Sequence, residues 1–177
     1  MHGILFKHLK EYVESEYGHE TWEAAMAEAG IEPKLYLPVT RYPDDEAVRL
    51  VEGVVAATDT TEPALLRDYG ERLAPELLDT FEAHVRDDWD ALDLMEHAGN
   101  QVFTVLYSED GDGDEVVAAR EDEDTVVVEY ASALELCELA TGVLRGIGAT
   151  HGPPVRVTEG ACMHDGADRC EFTVRRE

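Results

Sequence analysis

Three cysteines, seven histidines and a dense acidic run are the groups with metal-binding chemistry in this 177-residue chain. The segment Cys162-Met-His164-Asp165-Gly-Ala-Asp168-Arg-Cys170 brings two thiols and an imidazole around one turn. Thiolates and imidazole suit a tetrahedral zinc ion, with Cys162, His164 and Cys170 as ligands. The same spacing also suits two small apolar side chains facing each other across neighbouring strands. Cys137 falls inside a predicted helix and reads as core. Asp110-Gly-Asp112-Gly-Asp114 has carboxylates at alternate positions, and Glu121 stands at position twelve counted from Asp110. That is partly a calcium-loop pattern, although the flanks read as strands rather than helices, so a solvated acidic turn is the competing reading. His97 closes a predicted helix just before the first predicted strand. One histidine is enough to ligate haem iron where an apolar cavity surrounds it. No nucleophile elbow, P-loop or dinucleotide fingerprint occurs, so the chain does not read as an enzyme.

These groups need elements to position them. Apolar residues at helical spacing predict a helix over 3–17, with Leu5, Leu9, Tyr12 and Val13 inward. A second carries Trp22, Ala25, Met26 and Ala29 and stops at Gly30. Three prolines make 33–43 an ordered loop. Asp44 or Asp45 caps a helix carrying Val48, Val51, Val54 and Val55. Thr61-Glu-Pro63 opens another, and Pro75 is expected to open one more, with Leu77, Leu78, Phe81 and Val85 inward. Trp89, Leu92 and Met95 continue to Gly99. The period then changes to that of strands over 101–107, 116–120 and 125–130, with an acidic turn over 108–114. One helix, about 133–147, interrupts before a final hairpin around Asp165-Gly166. The expectation is a single α+β domain over 1–177, with a helical half over about 1–99. An antiparallel sheet crossed by one helix follows over about 100–177.

The composition narrows function further. Fourteen Lys+Arg against 40 Asp+Glu give a net charge of −26, and lysine occurs only at Lys7, Lys10 and Lys34. Nucleic-acid binders need clustered cations to neutralise phosphates, and none are present here. Acid spread along the whole chain fits a halophile's protein, because at molar salt the Debye length falls to about 3 Å and self-repulsion is screened. No apolar run approaches the ~18 residues of a membrane span, and the first residues lack the features of a signal peptide. The expected location is the cytoplasm, with neither membrane nor nucleic acid as partner.

Met1-His-Gly-Ile-Leu-Phe-Lys-His-Leu-Lys-Glu-Tyr-Val13, Tyr17-Gly-His-Glu-Thr-Trp22 and Ala29-Gly30 resemble the opening of the H-NOX (haem–nitric oxide/oxygen-binding) family. The Pro38–Asp45 loop, Tyr69-Gly70 and the order of helices before sheet resemble it too. The chain is similar to a stand-alone member of haloarchaeal type. The resemblance implies one haem b between the two halves, with His97 as axial iron ligand. It implies Tyr130 and Ser132 near the propionates, and Ile4, Leu5 and Leu144 on the distal wall. Tyr130-Ala-Ser132-Ala-Leu134 matches the family's Tyr-x-Ser-x-Arg except that Leu134 replaces Arg; Arg120 and Arg145 are the candidates to take its place. The implied gas ligand is NO or O₂, with NO favoured because no distal tyrosine is evident. The implied partner is a separate histidine kinase or cyclic-nucleotide signalling protein. Glu159-Gly-Ala-Cys162 through Phe172 also resembles the end of 4-vinyl reductase-type domains. That likeness implies the other reading, a haem-free regulatory module binding a small molecule or metal.

Overall fold

The computed structural model describes residues 1–97 and 115–177. The strand expected over 101–107, the acidic turn over 108–114 with its calcium-type pattern, and the helix end at Gly99 lie outside those residues. Helix α1 (Gly3–Tyr17) begins at His2, whose Nδ1 accepts the Ile4 N–H at 3.4 Å. It buries Leu5, Leu9, Tyr12 and Val13 as the spacing predicts. Helix α2 (His19–Glu28) buries Trp22, Ala25 and Met26. Helix α3 (Asp44–Ala57) places Asp44, Asp45 and Glu46 in its first turn, where carboxylates oppose the positive end of the helix dipole.

Helix α4 (Glu62–Thr80) starts from Thr61, whose side chain accepts the Ala64 N–H. It departs from expectation at Pro75, which sits inside a continuous helix rather than opening a new one. Proline forfeits one backbone hydrogen bond there. Leu66, Tyr69, Leu73 and Leu77 are buried on both sides of it, so unbroken helical register keeps one apolar face against the core. Val85 departs as well. The helix ends at Phe81, a 3₁₀ turn covers Glu82–His84, and Val85 is extended. A further helix, α5, takes in residues 91–97 among those described.

Strands β1 (Glu115–Asp122), β2 (Thr125–Ala131), β3 (Val155–Glu159) and β4 (Cys170–Arg176) form an antiparallel sheet in the order β1-β2-β4-β3. Between β2 and β3 runs α6 (Cys137–Thr150). It starts about four residues later than the periodicity predicts. The Ser132 hydroxyl accepts the Leu134 N–H at 3.2 Å, and Glu135 takes a left-handed conformation at φ 49°, which a helix cannot include. This is the α+β arrangement expected.

The buried residues form two clusters, one among α1–α4 and one between the sheet and α5 and α6. Helix α6 belongs to both: Leu139 joins the first, Cys137 and Leu144 the second. It crosses α4 at backbone contact. A Cβ on Gly142 would lie 2.2 Å from the Arg67 carbonyl oxygen, and one on Gly70 would lie 2.5 Å from that of Leu139. Only glycine permits that approach. Arg67 adds a two-pronged hydrogen bond to Glu138 Oε2, at 2.9 and 2.5 Å. Among the described residues, no helix is long and apolar enough to cross a membrane.

Candidate functional site

The two halves do not close fully on each other. A cavity of about 140 Å³ lies between them. Leu5 of α1 and Leu73 and Leu77 of α4 wall it on the helical side, with Leu94 and Met95 of α5. The sheet contributes Val116, Val128, Tyr130 and Phe172, and α6 contributes Leu139, Val143 and Leu144. Among the described residues no charged side chain reaches this wall. Such a lining accepts a flat or compact apolar ligand and disfavours an exposed charge. A second cavity, of about 100 Å³, shares Leu5, Leu136 and Leu139 with the first. Met1, Leu134, Glu52 and Glu62 also line it.

Three of the cavity residues implied by resemblance are there: Leu5, Leu144 and Tyr130. Ile4 is buried but turned elsewhere in the helical core. Ser132 is buried, and its hydroxyl is engaged with the Leu134 N–H. His97 does not line either cavity. Its ring lies 5.1 Å from that of Trp89, its side chain is 48% exposed, and Nε2 stands 4.0 Å from the Glu96 carboxylate. Neither arginine candidate reaches the place of Leu134. Arg120 donates to Glu96 at 2.8 Å and Asp93 at 2.6 Å, and Arg145 stands 3.8 Å from Glu71.

Haem can be tested against these walls. Their apolar surface fits the faces of the macrocycle. Met95 and Tyr130 also stand on the first cavity's wall. The described residues bring neither imidazole nor guanidinium there. Periodicity placed Leu5, Leu136, Leu139, Val143 and Ile147 inward, the resemblance supplied Leu144, and Leu73 was not singled out. Met95 as a wall residue was also legible in the helical spacing.

A second cluster lies at the start of α6, in the buried layer between that helix and the sheet. Cys137 at its first turn, Cys162 and Cys170 are all buried and reduced. Cys170 Sγ is 3.0 Å from Cys137 Sγ and 3.8 Å from Cys162 Sγ. The carboxylate of Glu159 joins them, with all four ligand atoms within 4.8 Å of one another. Burial raises the Cys137 thiol well above its ordinary range and pushes Cys162 up to about 11. His164, expected beside Cys162 and Cys170, stands apart: its Nε2 is 2.9 Å from the Glu135 carbonyl oxygen. Sequence reasoning thus paired two of the three cysteines and missed Cys137 and Glu159. Cys137, read as core inside a helix expected over about 133–147, carried no signal, and Glu159 had none beyond lying three residues before Cys162.

Comparison with known proteins follows the same lines. No curated protein matches this chain. An H-NOX protein from Shewanella oneidensis, solved in the Fe(II)NO state, superposes with a TM-score of 0.86 at 20% identity, covering 100% of this chain and 99% of that one. An Fe(II) unliganded H-NOX protein from K. algicida gives 0.81 at 18% identity, covering 100% and 97%. These likenesses establish the fold. The Haem-NO-binding family matches residues 2–159. With the helical and sheet halves closing on an apolar cavity, and with nearly the whole chain matched, this protein belongs to the Haem-NO-binding, or H-NOX, family of haem-based gas-sensing domains.

Proposed function

We propose that this protein is a sensor domain that holds haem in the apolar cavity between its two halves, responds there to NO, and acts on a separate partner protein. The observation that carries this reading is the cavity itself. It is enclosed by α1, α4, α5, α6 and the sheet, and Leu5, Leu144 and Tyr130 stand on its wall. Haem supplies an iron that binds diatomic gases. The chain's residues exclude water from the ring through Leu73, Leu77, Leu144 and Phe172. Gas binding changes function only if it favours one arrangement of the surrounding helices over another. Helix α6 is placed to report it, because Leu144 and Ile147 face the cavity.

The test is haemin titration of the folded protein in molar KCl, then reduction and addition of NO. A saturable Soret band that moves with NO supports the reading. Leu144→Trp, which fills the cavity, should weaken haemin binding by about tenfold, roughly 1.4 kcal/mol. No saturable band from a folded sample overturns it. A specific observation then favours the second reading, a haem-free module for another apolar ligand: His97 packs on Trp89 and lines neither cavity, and Leu134, which holds the motif position of the family's Arg, offers no guanidinium to a carboxylate.

A further inference from the structure

We propose that the outer face of the sheet is a self-complementary surface that pairs two copies of this chain about a two-fold axis. Side chains alternate along each strand. Val126, Val128, Phe172 and Val174 are buried on the inner face, in one cluster with Cys137 and Leu144 of α6. Their neighbours in the chain therefore stand on the outer face, and the strand registers line them up in rows. The middle row, Ala119, Val127, Thr173 and Thr158, crosses all four strands without a charge. On one side of it Arg175 pairs with Arg156, and on the other Val117, Glu129 and Glu171 follow one another. Guanidinium groups thus flank one edge of a neutral stripe and carboxylates the other. Glu129 is already held by Arg169 at 2.6 Å, and Arg156 by Glu177 at 3.2 Å. Arg175 and Glu171 are exposed, and neither side chain has a hydrogen bond or ion pair among the described residues. Asp122 feels the Arg175 charge from beyond ion-pair distance. In a chain with 40 acidic residues, an arginine without a carboxylate partner is a cation left for another molecule.

The charge pattern selects a second copy and its orientation. Turned about an axis along the middle row, a second sheet lays neutral stripe on neutral stripe and sets each Glu171 opposite the partner's Arg175. Turned about an axis along the strands, it would set carboxylates opposite carboxylates. Both Glu–Arg contacts form at once in a closed pair, as two-fold symmetry requires. Sheets stacked about 10 Å apart allow long side chains to meet across the gap. Four strands about 4.8 Å apart, rising about 3.3 Å per residue, give a face of roughly 300–400 Å² in plan. That is about half of what a standard interface takes from each partner, so the pair is weak and reversible, in the micromolar range. Molar salt favours it, because repulsion between two chains of net charge −26 is screened beyond about 3 Å, while groups in contact still attract. Val128, Tyr130 and Phe172 of the same strands wall the first cavity on the inner face, so pairing braces one wall of each cavity. The inference holds whatever that cavity binds.

The experiment is sedimentation velocity on the full chain in molar KCl, from about 1 to about 300 μM. The expected result is a shift from monomer to dimer as concentration rises. Arg175→Glu and Glu171→Arg each set like charges opposite each other at both contacts. Either change should weaken pairing by at least about tenfold, with circular dichroism unchanged. Thr173→Lys, on the axis itself, should weaken it too. An equimolar mixture of the Arg175→Glu and Glu171→Arg chains should restore the dimer, because every contact then joins a carboxylate to a guanidinium. A parent chain that stays monomeric over the whole range overturns the proposal. A folded Arg175→Glu chain that dimerises like the parent overturns it as well, and so does a mixture of the two reversed chains that stays monomeric.

Discussion

Gly142→Ala tests the packing that holds the cavity walls in place. In an uncrowded helix the substitution stabilises by up to about 1 kcal/mol, because alanine loses less backbone freedom. Here the new Cβ would sit 2.2 Å from the Arg67 carbonyl oxygen and 2.9 Å from Gly70 Cα. Both are backbone atoms, so no side chain can swing away. Reaching ordinary contact requires α4 and α6 to separate by about 1 Å, and close-packed interiors resist this at a cost of about 1–3 kcal/mol, sometimes more. The steric cost outweighs the propensity gain. The expected net loss is about 1–2 kcal/mol, which in a chain of this length lowers Tm by about 2–8 °C. Thermal melts in molar KCl, with urea unfolding to confirm an unchanged m-value, read it directly. A variant as stable as the parent, or more stable, would refute the reasoning, because the two helices would then not be in backbone contact.

His97→Ala should change stability by less than about 0.5 kcal/mol and leave the haemin-bound spectrum as it is, because the half-exposed ring lines neither cavity; loss of the Soret band would show that α5 turns to bring His97 inward. Raising KCl from about 0.1 to about 1 M shortens the Debye length from about 10 Å to about 3 Å. With a net charge of −26, Tm should therefore rise, and a fall in circular-dichroism melts would remove the halophilic reading. Asp90 is partly desolvated, which alone would raise its pKa. The Asp93 and Leu92 N–H groups and the Arg176 guanidinium outweigh that and hold it low. A carboxyl depressed in the folded state stabilises it above the unfolded pKa of about 4 and loses that contribution as pH falls through the folded value. Asp90→Asn should accordingly lower the urea midpoint at neutral pH and lower it less near pH 3; an equal loss at both would mean that the carboxylate's charge is not what the site uses.

What the sequence revealed depended on how local the physics was. Helices α1 to α3 were legible because one amphipathic period determines each of them, although α3 starts from Pro43 without the carboxylate cap expected at Asp44 or Asp45. The pairing of β3 with β4 followed from two short runs and the turn at Gly166, which adopts φ 89°, whereas the pairing of β2 with β4 had no local signal. Pro75 misled because a local rule for helix starts met a tertiary demand: Leu66 and Tyr69 before it and Leu73 and Leu77 around it bury one continuous face. Glu135 hid the true start of α6, since nothing in its side chain announces a left-handed backbone. The cavity's Leu5 and Leu144 could be named from resemblance, but the orientation of His97 could not, because it depends on Trp89 and on which face of α5 turns inward. Cys137 illustrates the same limit at the cysteine cluster. It is 25 residues from Cys162 and 33 from Cys170 in the chain, and only the crossing of α6 behind the sheet brings the three sulfurs together. A cluster assembled by topology leaves no spacing to read, whereas the turn between Cys162 and Cys170 does, and it drew attention to His164 while Cys137 and Glu159 joined the two thiols instead.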